Sequence, residues 1–76
     1  MGSDDAAVAQ LKDSVEKAPR NPVYQYHLGM AYLASGRPQL AAESLRRALA
    51  GNPGFPEAAN ARAALEKASK QPSTAK

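Results

Sequence analysis

Apolar and small residues recur along most of this 76-residue chain at three- and four-residue intervals, the spacing that gathers them on one side of a helix. Breaks in the pattern divide the chain into four helices. The first is expected from Asp4 to Lys17, with Ser3 as N-cap and two acids in the first turn, where the helix dipole favours them; it stops before Pro19. The second is expected from Pro22 to Ser35, capped by Asn21, with Pro22 at the first helical position, where a missing N–H is harmless. Gly36 ends it. The third runs from Pro38 to Ala50 and stops at the stretch GNPG, and the fourth from Pro56 to Ser69. Residues 1–3 are expected to be a disordered lead-in or the remnant of an expression tag, and 70–76 a disordered tail.

A longer period relates the first helix to the third. At an offset of 34 positions Ala7 falls on Ala41, Leu11 on Leu45, Ser14 on Ala48, Val15 on Leu49 and Pro19 on Pro53. The repeating unit is therefore a pair of helices. Gly29 lies inside the apolar pattern of the second helix, where glycine gives up roughly 1 kcal/mol of helix propensity relative to alanine, so a packing reason is expected there.

Leu28, Gly29, Tyr32, Gly36, Ala41, Leu45, Ala48 and Pro53 are spaced as in the tetratricopeptide repeat, which the stretch from Pro22 to Phe55 resembles. Gln25 stands where that repeat usually has Trp, a departure that Tyr24 beside it would compensate, and Leu45 replaces a frequent aromatic. The resemblance covers residues 4–69 and implies an all-α fold, antiparallel helix pairs of an α-solenoid. It divides the chain into a half repeat at 4–19, a complete repeat at 22–55 and a capping helix at 56–69. Gly29 and Ala41 would then mark a crossing too close for a side chain larger than methyl, with Leu28, Tyr32 and Leu45 around it.

Carried one period further, Leu28 maps to Arg62, Gly29 to Ala63 and Tyr32 to Glu66, a polar face expected of a helix with no partner beyond it. Ala58, Ala61, Leu65 and Ala68 recur on another face and would cover the third helix, so the fourth reads as the solvating cap a repeat array needs. The first helix is the second half of a repeat whose first half is missing, and Ala7 and Leu11 are expected to face the gap. Two explanations stay open: the chain is the C-terminal end of a longer array, or a second copy covers the edge and makes a homodimer.

The resemblance locates function in a groove lined by the first helix of each repeat, which holds a peptide or helix of another protein. The positions it implies are Val23, Tyr26, Met30 and Leu33, then Glu57, Asn60, Ala64 and Lys67 one repeat later. Tyr26 and Met30 would suit an apolar anchor on the partner, and Asn60 its backbone; being one turn apart, Tyr26 and Met30 could instead simply pack together. They also stand where one subclass of the family carries the Lys and Asn that grip a C-terminal carboxylate, so that clamp is not expected in this repeat.

Composition narrows the alternatives. Cysteine is absent, β-branched residues are limited to three Val and one Thr, and the domain is small enough that its core supplies only roughly 3–5 kcal/mol. No apolar run approaches the ~20 residues of a membrane span, so no membrane insertion is expected; the compartment stays open, with a cytoplasmic location favoured over a periplasmic one. Of ten basic residues, Lys67, Lys70 and Lys76 cluster at the C-terminal end, which accounts for much of the +3 net charge as a solvated tail. Arg37, Arg46 and Arg47 raise the rival of nucleic-acid binding, but the aromatics needed for base stacking are committed to the fold, and Glu43 is placed to pair with Arg46 and Arg47. The single His27 has no companion ligands, and Ser35, Ser44 and Ser69 no base in motif spacing, so no metal, cofactor or catalytic role is expected.

Overall fold

The computed structural model of the protein describes residues 2–70, which form α1 (Gly2–Lys17), α2 (Pro22–Ala34), α3 (Pro38–Gly51) and α4 (Ala58–Lys70). Each helix packs on the next, and α2 and α4 also touch. The expected tail after Lys70 lies outside the described residues, while Lys70 itself closes α4.

Local chemistry sets most helix ends. Asn21 has extended backbone and its Oδ1 accepts from the Val23 N–H at 2.9 Å, with Pro22 opening α2 as expected. At the other end of α2 the Arg37 N–H donates to the Tyr32 carbonyl at 2.8 Å and the Gly36 N–H to that of Leu33 at 3.1 Å, a paired closure that satisfies two orphan carbonyls. The closure needs a left-handed residue, and Gly36 supplies it with φ 77°. Pro38 then opens α3 with its ring fully buried.

Two expected boundaries move. α1 begins at Gly2 rather than Asp4, which places the Ser3 backbone within the first helical turn. α4 begins at Ala58 instead of Pro56, because the Ala58 N–H first closes a tight turn onto the Phe55 carbonyl at 2.9 Å.

α3 is the spine. Its Ala41, Leu45 and Ala48 are 0% exposed. An ideal Cβ at Gly29 would lie 2.7 Å from Leu45 Cγ, 2.9 Å from its Cδ2 and 3.3 Å from the Ala41 carbonyl oxygen, which is the physical reason for glycine in mid-helix. Leu28 and Tyr32 are buried beside the crossing in a cluster with Val8, Ala41, Ala42 and Ala68. A second cluster joins Leu45 and Ala48 to Phe55, Ala58, Ala61 and Ala64, and the half-buried Leu65 packs against both. The alanines of α4 thus cover α3, while Arg62, Ala63 and Glu66 face outward.

Gln25 does not fit the expected compensation. It is buried at 6% exposure with its Oε1 lacking a hydrogen-bond partner among the described residues, whereas Tyr24 lies on the surface. Adjacent helical residues point about 100° apart, so Tyr24 cannot reach the place its neighbour occupies.

Gly29→Val should destabilise the domain by about 1–3 kcal/mol, because the fully buried Leu45 has no room to withdraw. Thermal melting followed by circular dichroism should show a shift of roughly 4–8 °C for each kcal/mol. An unchanged melting curve would remove the close-crossing account.

Candidate partner-binding groove

With α3 behind them, α2 and α4 leave an open groove of about 530 Å³. Tyr26, Met30, Leu33 and Ala34 form its α2 wall, and Asn60, Ala63, Ala64 and Lys67 its α4 wall. Of the positions expected from sequence, Tyr26, Met30, Leu33, Asn60, Ala64 and Lys67 are brought together. Ala64 is largely buried and serves as floor. Val23 packs instead against the core around Leu45, and Glu57 precedes the first turn of α4, so neither lines the groove.

Tyr26 is held from behind. Its ring meets Phe55 edge to face, with centroids 6.1 Å apart and planes at 62°, and His27 at 5.4 Å and 69°. Phe55 is 3% exposed, fixed at the α3–α4 turn where Asn52 Oδ1 accepts from the Gly54 N–H at 3.1 Å and the Phe55 N–H donates to the Asn52 carbonyl at 3.2 Å. Arg62 Nη2 adds a bond to the Pro53 carbonyl at 3.1 Å. Sequence reasoning treated this turn only as a helix stop and missed Phe55; that it is the only phenylalanine, set immediately before the last helix, was the available signal. Met30, by contrast, remains 39% exposed.

The electrostatics of the groove are simple. Among the described residues, ion pairs join Lys17 to Asp13 at 3.1 Å and Lys70 to Glu66 at 3.4 Å, both one turn apart on exposed helix surface. Lys67 takes part in neither. The expected pairing of Glu43 with Arg46 and Arg47 does not form: these long side chains lie exposed on α3, where holding two of them in one geometry loses entropy for little Coulomb gain.

The face expected to be open on α1 can be judged against its own repeat. Ala7, Leu11 and Ser14 are half-buried, whereas their equivalents Ala41, Leu45 and Ala48 in α3 are wholly covered. Leu11 is not free, however, since it packs against the Leu28 and Tyr32 cluster of α2. Among the described residues no three His, Cys, Asp or Glu side chains gather to hold a metal, and no helix is long and apolar enough to cross a membrane.

Helix pairs repeating at a fixed offset, a glycine at the crossing and a groove between successive first helices define a helical-repeat solenoid. The tetratricopeptide repeat family model matches residues 2–65, and the chain belongs to that family. No curated protein sequence and no solved structure matches it.

The groove's exposed wall and its buried backing should separate in stability measurements. Phe55→Ala is expected to cost about 3–5 kcal/mol, enough to unfold much of a domain this small, while Met30→Ala should stay within about 0.5 kcal/mol. Urea denaturation of the two variants checks this, and equal losses would contradict the division.

Proposed function

We propose that this chain is a non-enzymatic protein-interaction module whose α2–α4 groove holds a peptide or helix of another protein, as part of a larger scaffold or assembly protein. Membership of the tetratricopeptide repeat family supports the interaction role in general terms. The observation that carries the finer reading is the groove itself: an apolar surface with Met30 exposed on its α2 wall and Tyr26 braced by buried Phe55. Tyrosine and methionine on such a surface offer large contact area, and a braced ring loses little entropy when a partner covers it.

A second reading is self-association through α1. It is favoured by the incomplete cover of Ala7, Leu11 and Ser14 where the equivalent α3 positions are sealed. A second copy on this face would be a structural use of the chain rather than recognition of a different protein.

Two variants divide these readings. Met30→Ala combined with Tyr26→Ala should abolish partner capture by the parent protein without changing the sedimentation behaviour of the chain, and Ala7→Glu should leave capture intact. If Ala7→Glu instead breaks up an assembly and abolishes function with it, the self-association reading holds and the groove reading fails.

A further inference from the structure

We infer that the α2–α4 groove selects a protein segment carrying a bulky apolar side chain with an aspartate or glutamate side chain beside it. The apolar group would sit against Tyr26 and Met30, and the carboxylate would meet Lys67. This rests on the groove reading proposed above and adds the chemistry of the partner to it.

The groove wall is apolar except for Asn60 and Lys67, and Lys67 is the one charged side chain among the residues that line it. Its neighbours on α4 do not balance it, because Glu66 and Lys70 are paired with each other at 3.4 Å. The other ion pair among the described residues, Lys17 with Asp13, is on α1. Glu66, Lys67 and Lys70 border one neighbouring hollow and together carry a net positive charge, so among the described residues the charge that a ligand meets at this end of the groove is positive, with Lys67 in no ion pair. While the groove is open, water solvates the Lys67 ammonium at little cost. A partner that lays an apolar group over Tyr26 and Met30 removes part of that water, and an ammonium so covered needs a counter-charge. A side-chain carboxylate next to the anchor supplies it; a lysine or arginine there meets repulsion. The position belongs to Lys67, toward the end of α4, and is separate from the Tyr26 and Met30 positions, which offer an anion neither charge nor amide.

Selection from a random peptide library displayed with its C-terminus fused to the carrier tests this, since any acidic group recovered is then a side chain. Against the wild-type chain at low salt, recovered peptides should carry an aromatic or large aliphatic residue and favour Asp or Glu near it over Lys or Arg by about fivefold, the ratio that ~1 kcal/mol of charge pairing provides. Against Lys67→Glu, whose exposed site leaves the melting curve in place, the preference should invert. Recovered peptides with no charge bias, or with the same bias for both chains, would overturn the inference and leave the groove reading standing. If Met30→Asp recovers the same peptides as the wild type, the groove reading itself fails, and this inference with it.

Discussion

Leu45 lies so close to the α2 backbone that a methyl group at Gly29 would stand 2.7 Å from its Cγ, and the remainder of the fold follows from that approach. Because α2 and α3 meet almost backbone to side chain, Leu28 and Tyr32 close around the contact and seal Ala41 and Ala42. On its other side α3 offers Leu45 and Ala48 to the alanines of α4, which approach closely because they carry nothing beyond a Cβ. Small residues at the crossings thus stand in for the large aromatic core that a chain with four aromatic residues (three Tyr and one Phe) cannot build. Close approach makes each buried apolar atom touch more neighbours, and dispersion gains of this kind vanish with small gaps.

The groove is a consequence of the same geometry. α3 packs against both α2 and α4, and the facing sides of those two helices border open space, with Tyr26, Leu33 and Ala64 reaching from the groove into the core around Leu45. Phe55 connects the two roles, since it belongs to the core with Leu45 and Ala58 while its ring braces Tyr26 on the groove wall. A rigid wall and an exposed Met30 make an unequal pair, one fixed and one adaptable, which suits capture of a side chain whose shape is not matched in advance.

Much of this architecture was legible in the sequence because the repeat writes it twice. The offset that relates Leu11 to Leu45 fixes the register, the register fixes which face of each helix is inward, and Gly29, Gly36 and Pro38 read directly as crossing, closure and restart. Within the groove, Tyr26, Met30, Leu33, Asn60, Ala64 and Lys67 follow from that register, whereas Glu57 does not, because a turn at Phe55 delays the start of α4. Other features depend on side-chain placement that spacing does not encode. The burial of Gln25 with an unsatisfied oxygen, the outward turn of Tyr24, the role of Phe55 and the absence of pairing between Glu43 and its arginines are all of this kind.

The central claim is that Gly29 is required by Leu45 and not by the helix that contains it. It is tested most directly by a double-mutant cycle on these two residues, with stability measured by urea denaturation in trimethylamine N-oxide to keep every variant folded. Gly29→Ala should destabilise the wild-type chain despite alanine's better helix propensity, yet cost clearly less in the Leu45→Ala background, where both Leu45 atoms are gone and only the Ala41 carbonyl oxygen at 3.3 Å stays close. An equal cost in both backgrounds would contradict the account.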